Sequence, residues 1–389
     1  MKEPKSTLSK KKKYRFKVYI LCTMVLLFFG NNVVSQKASL DTISKKTIRF
    51  DGLDGPYLIN DTIYRVTQKN VLIREKANVD SLLVKVDNIS KDEFYVKIRS
   101  EYKVSPSVYP EPQKIITISD IEGKYNAFAS FLISNHVMDT NHNWIFGSGH
   151  LVLLGDFVDR GKNVTQVLWL IYKLEHQAIL EGGQVHFILG NHEVLNFHGD
   201  HRYNRGKYIK VAQEISGNED KVKAIQLMYS KNSELGKWLA TKNVIEKIGT
   251  NIFVHAGLSI DILKYGLSLE KTNDKVRSGY FKKEVKEDDV LKFLYGSKGP
   301  FWYRGLVMNR PSYRKAKALE LSEILGFYGS KKIIVGHTVV DDICTGYEGK
   351  VIMIDVPHGN SKFSGKTKGL LIENGLHYKV DDIDLKSAL

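Results

Sequence analysis

Cysteine is almost missing from this chain of 389 residues, with only Cys22 and Cys344 present. A disulfide framework is thereby excluded, and so is a thiolate metal site, which needs clustered cysteines. No motif for a cysteine or serine nucleophile stands out. Long apolar runs are scarce too: the conspicuous one, Val18 to Gly30, is shorter than the roughly 20 residues of a stable bilayer-crossing helix. What is present is a globular balance, 42% hydrophobic and 26% charged residues, which leaves no reason to expect disorder.

The apolar run follows a head with eight Lys or Arg among its first 17 residues and one acid, Glu3. Small or branched residues follow at Val33, Val34 and Ser35, before Gln36. A basic head, a short apolar body and such an end predict a secretory signal peptide over 1–35, with an uncleaved N-terminal anchor as the other reading. Either way the remainder is expected to be exported, periplasmic or secreted, with no membrane contact once cleaved. The head carries seven of the fifteen net positive charges. The eight that remain are dispersed, which fits acidic or phosphorylated substrates and predicts no nucleic-acid partner.

Residues 36–112 hold short β-type runs: Thr47 to Phe50, Tyr57 to Val66, Val71 to Arg74, Leu82 to Val86 and Phe94 to Ile98. They predict a small N-terminal β region that ends in an extended linker, Ser105 to Pro112, with three prolines. From 113 to 389 the pattern is α/β. Strands are expected at Ile115 to Ser119, Leu151 to Leu154, Val185 to Leu189, Asn251 to His255, Ile333 to Val335 and Val351 to Ile354. Helices are expected at Ala127 to Asn135, Asn163 to Glu181, Lys207 to Ile215, Lys221 to Ala240 and Ala316 to Phe327.

Five polar clusters follow hydrophobic strands: Asp120 to Gly123, Gly155 to Gly161, Gly190 to Glu193, His255 to Gly257, and Gly336 to Thr338. Any one of them reads as a turn, a helix cap or a hydrogen-bonded histidine. Together they place carboxylates, an amide and imidazoles at successive strand ends, where α/β folds bind ligands. These are ligands for Mn²⁺, Fe or Zn²⁺. Two ions roughly 3.5–4 Å apart hold phosphoryl oxygens and activate a shared water. Asp156 is the carboxylate expected to bridge them.

At this point the chain resembles the calcineurin-like metallophosphoesterase superfamily, through GDFVDRG (Gly155 to Gly161), GNHE (Gly190 to Glu193), VHAG (Val254 to Gly257) and VGHT (Val335 to Thr338). Within it the phosphoprotein-phosphatase side, and most of all the Shewanella-like phosphatases, is the nearest in pattern. GDHRY (Gly199 to Tyr203) and GPFWYRGL (Gly299 to Leu306) support this. The resemblance implies a two-sheet β-sandwich flanked by helices. It also implies that Asp120 and Asp156 bind one metal, while Asp156, Asn191, His255 and His337 bind a second. His192 would protonate the leaving oxygen, oriented by Asp159, and Arg160 and Arg304 would grip the phosphate. Glu122 stands where the family pattern has histidine; it is expected to ligate the first metal and to favour Mn²⁺ or Mg²⁺ over Zn²⁺.

The implied activity is phosphomonoester hydrolysis by in-line attack of a metal-bound hydroxide, on a phosphorylated protein (Ser/Thr or Tyr) or a small phosphoester. The alternatives are a phosphodiesterase or dinucleoside polyphosphate hydrolase of the same superfamily, and a non-catalytic envelope binding module. His198, Asp200, His201, Arg202 and Tyr203 are candidates for the substrate mouth, and Asp355 for a supporting contact.

Overall fold

The computed structural model describes residues 50–77, 80–282 and 287–389; the expected signal segment lies outside them. Strands β1 (Asp54–Ile59), β2 (Thr62–Val66) and β3 (Leu72–Lys76) form one small antiparallel sheet, and β4 (Ser81–Lys85) with β5 (Glu93–Lys97) a second. The run expected from Tyr57 to Val66 is a hairpin turning at Asn60, whose φ of +49° is tolerable for asparagine.

The main body contains β6 (Val108–Tyr109), β7 (Lys114–Ile118), α1 (Tyr125–Ser134), β8 (His150–Leu153), α2 (Val164–Leu180), β9 (Gln184–Phe187) and α3 (Asn191–Phe197). Next come α4 (Gly206–Ser216), α5 (Lys221–Met228), α6 (Glu234–Leu239), β10 (Ile245–Ile248), β11 (Asn251–Val254), α7 (Leu269–Arg277), α8 (Asp289–Leu294) and α9 (Ala318–Phe327). The chain closes with β12 (Lys332–Val335), β13 (Cys344–Gly346), β14 (Val351–Met353), β15 (Lys368–Glu373), β16 (Leu376–Asp381) and β17 (Lys386–Ala388). Two six-stranded sheets result, in the orders β13-β14-β12-β11-β10-β6 and β17-β16-β15-β7-β8-β9.

Period-two alternation explains the sandwich. Ile115, Val152, Phe253, Ile334 and Ile352 join one buried cluster fed by both sheets, whereas their neighbours Ile116, Leu151, Val254, Val335 and Val351 join a larger cluster with the helices. These five strands are therefore apolar on both faces. Helix α2 lies against β9 and also against β1, β4 and β5. Trp169 Nε1 donates to Pro56 O at 2.8 Å, tying the N-terminal strands to α2.

Three expectations are revised. The helix expected from Lys221 to Ala240 is two, because Ser233 caps α6 through Gly236 N–H and the β1–β2 turn bonds Asn232 O. The proline-containing linker is not free: Val108–Tyr109 adds an edge strand whose carbonyl side, Ser107 O and Tyr109 O, accepts from Lys247 and Gly249. Prolines are tolerated there because the ladder needs only acceptors. The antiparallel unit β15–β17 was not anticipated. Asn374 and Gly375, both at positive φ, form the tight turn that joins β15 to β16.

Candidate active site

Strands β7, β8 and β9 pair in parallel, as do β11, β12 and β14. Parallel pairing brings the carboxyl ends to one edge of each sheet, and the packing of the two sheets on a shared core brings Asp120, Asp156, Asn191, His255 and His337 together from five strands. The turns there are tight: Asp120, Glu122, Asp156, Asp159, Arg160 and His337 all have φ between +48° and +70°. That conformation costs non-glycine residues about 1–2 kcal/mol each, and such strain collects at functional sites. Glycine is obligatory where two of the turns meet. A Cβ on Gly155 would stand 2.4 Å from Gly190 N, and one on Gly190 2.2 Å from Asp156 Oδ1.

Acceptor atoms dominate the centre. His255 Nε2 lies 3.0 Å from Asn191 Oδ1, 3.1 Å from His337 Nδ1 and 3.2 Å from Asp156 Oδ2. Its Nδ1–H donates to Leu154 O at 2.6 Å, which turns Nε2 toward the cluster as metal-ligating histidines require. Ligand atoms of Asp156, His255 and His337 all fall within 4.8 Å of one another, with all three residues buried. Burial, then His255 and Arg304, holds His337 well below the ordinary histidine range, so its ring is neutral. Burial alone would raise Asp156, but His255 and His192 hold it far below the carboxylate range. This donor set suits a divalent cation of the Mn²⁺, Fe or Zn²⁺ type.

Asp120 lies beside this group but outside it; its Oδ2 accepts His337 N–H at 3.0 Å. Glu122 has its carboxylate on Arg160, with Lys124 Nζ 3.7 Å away, and also stands outside the group. Asp355 is buried at the cleft wall, and burial with nearby Asp156 pushes it up to about 7.

His192 opens α3. Its N–H donates to Asp156 Oδ1 at 2.9 Å and its Nδ1 meets Asp159 Oδ2 at 2.6 Å. Burial opposes the charged ring, but Asp156 and Asp159 outweigh it and push the pKa up to about 9. Its Nε2 is thereby the free proton-carrying position. Arg160 lies 5.0 Å over the Tyr203 ring and lines the cleft together with Arg304, which donates to His337 O and to Thr338 Oγ1. The cleft measures about 250 Å³.

Of the residues expected at the mouth, Tyr203 lines it. His198 instead meets Gly279 O and stacks on Tyr295, and Asp200 pairs with Arg202 at the surface. Several contributors were not anticipated. Glu193, fully buried, accepts N–H groups of Asp156, Phe157 and Gly190 at 2.8–2.9 Å and so locks two turns together. Asn196 and Asn204 both donate to Asp159 Oδ1. Trp302 and Lys124 line the cleft. Glu193 and Asn196 had a legible signal, lying one and four residues after His192 on a short helix.

Residues 113–341 match the calcineurin-like phosphoesterase family. Shewanella-like protein phosphatase 1 of Plasmodium berghei is 33% identical over 227 residues, 58% of this chain and 61% of that protein. Thus the chain spans about three fifths of that relative's length. Shewanella-like protein phosphatase 2 of Arabidopsis thaliana is 26% identical over 296 residues, 66% of this chain and 74% of that one. A solved structure of a cold-active protein-tyrosine phosphatase from a psychrophilic Shewanella species superimposes with a TM-score of 0.75. The two are 32% identical, and the alignment covers 87% of this chain and 99% of the other. The strand-end constellation and the match over residues 113–341 lead to one conclusion: this chain belongs to the calcineurin-like phosphoesterase family.

Proposed function

We propose that the protein is a metal-dependent phosphatase that hydrolyses phosphate monoesters on proteins. One observation carries this reading: His192, wedged between Asp159 and Asp156, stands next to the acceptor group of Asp156, Asn191, His255 and His337. In this reading those four residues hold one divalent ion, and Asp120 with Asp156 holds another. When bound, the ions supply positive charge that polarises the phosphoryl group and lowers the pKa of water. The chain's own residues do the rest. Asp159 commits Nδ1 of His192, leaving Nε2–H to protonate the departing ester oxygen. Arg304 and Arg160, both on the cleft lining, would grip the phosphate oxygens.

The names of the relatives above support a protein substrate, and the Shewanella neighbour makes phosphotyrosine the first residue to test. Two carboxylates and an amide oxygen beside two imidazoles make Mn²⁺ the first ion to test. The basic head and apolar run support export. The test is hydrolysis of phosphopeptide, bis-phosphodiester and dinucleoside polyphosphate side by side with Mn²⁺, for the wild type and His192→Asn. Phosphopeptide turnover that falls by about 10²–10⁴ in the variant, with metal content unchanged, supports the reading. Preference for either of the other substrates overturns it. Fractionation of the source cells checks the location, and a cytoplasmic protein would contradict export.

A further inference from the structure

We propose that a second, basic groove opening from the catalytic cleft docks the polypeptide that flanks the phosphorylated residue and selects acidic sequence; this rests on the phosphoprotein reading above. The groove measures about 610 Å³ and shares Lys124 and Arg160 with the cleft. Lys162 and Arg205 extend the basic lining, and among the described residues Asp87 is the one carboxylate on it. A small phosphoester is accommodated by the 250 Å³ cleft alone. A polypeptide chain attached to the phosphoryl group must leave the cleft, and this opening offers positive charge along its course.

The far wall belongs to the β4–β5 turn, which gives the N-terminal β region a role in substrate choice. That wall is pinned. Asn88 Nδ2 donates to Asn126 Oδ1 at 2.8 Å and to Asp92 Oδ2 at 2.9 Å, and Lys362 pairs with Asp92 at 2.5 Å. At its tip Ile89 is 101% exposed, positioned to cover an apolar side chain of the incoming peptide. Lys162 and Arg205 have partners, Asp87 at 2.6 Å and Asp51 at 3.1 Å, but their side chains are 42% and 44% exposed. Pairs that exposed are weak, so an acidic peptide side chain exchanges into them readily.

The experiment uses the full chain with Mn²⁺ and three substrates: p-nitrophenyl phosphate, and two phosphotyrosine peptides with acidic or neutral flanks. The expected wild-type order places the acidic peptide first in kcat/KM, with its KM rising more steeply with salt than that of the neutral peptide. Ile89→Asp and Arg205→Glu should each lower kcat/KM on the acidic peptide by about fivefold through KM. Neither variant should change the rate on p-nitrophenyl phosphate, which also reports an intact fold. Equal wild-type kinetics on the two peptides, or variants that lose all three substrates in proportion, would overturn the groove. A wild type inactive on p-nitrophenyl phosphate would instead sink the phosphatase reading itself.

Discussion

Replacing Glu122 by glutamine separates the two roles its position allows. Its carboxylate belongs to Arg160, with Lys124 3.7 Å away. A unit pair at about 4 Å and an effective dielectric near 20 is worth about 4 kcal/mol. The Arg160 side chain is 48% exposed, so solvent reduces the pair to about 1 kcal/mol or less. A phosphate bound by Arg160 competes with that pair. Glu122→Gln should therefore tighten inorganic phosphate by at most about fivefold. Metal content should stay at the wild-type value, because the Glu122 carboxylate is committed to Arg160 with Lys124 nearby. The assay is elemental analysis after dialysis against limiting Mn²⁺, followed by calorimetric titration with phosphate. Loss of one ion per chain in the variant would refute the pairing and return Glu122 to the metal ligands.

Asn196→Ala removes a donor from Asp159 and should lower kcat roughly tenfold with metal content unchanged; steady-state kinetics with elemental analysis decide it. Gly190→Ala places a methyl 2.2 Å from Asp156 Oδ1, so metal binding should be lost, and calorimetric titration with Mn²⁺ should detect no site. Glu175 is buried with Lys242 at 2.6 Å and Arg99 at 3.4 Å. Glu175→Ala should cost about 3–5 kcal/mol in urea unfolding, and a cost under about 1 would contradict the network. Burial, reinforced by His186, depresses His150 to about 4. Its contribution is thus intact above the unfolded value of about 6.5 and falls away as pH drops toward 4. Between pH 7 and 5 this partly exposed ring should account, after solvent screening, for about 1 kcal/mol of lost stability. His150→Gln should flatten that part of the profile, and an unchanged slope would refute the assignment.

The strand-end clusters, the β-then-helix alternation and the helix at α2 could all be read from the residues, because each depends on local periodicity and short motifs. That Asp156, Asn191, His255 and His337 would meet, and Asp159 would pair with His192, was implied by the family resemblance of those motifs, and these side chains do lie together. What local pattern cannot supply is direction. Glu122 has the chemistry of a ligand; only packing places Arg160 against it. Lys221 to Ala240 reads as one helix, and only the β1–β2 turn bonding Asn232 O breaks it. His198 and His201 sit beside GNHE in the chain, yet they line no part of the cleft.

Residue order by itself determined which groups are available: alternating apolar strands that must be covered on both faces, each ending in a carboxylate, an amide or an imidazole. Tertiary structure alone decided which of them meet. Parallel pairing within each sheet and the packing of the two sheets together set the 3.0–3.2 Å separations around His255, while the bonds of Asn88 to Asn126 and of Asp92 to Lys362 hold the β4–β5 turn at the basic groove. The physical reason is range: side-chain chemistry and periodicity act over a few residues, whereas sheet register and sheet packing fix distances between residues 64 and 82 positions apart.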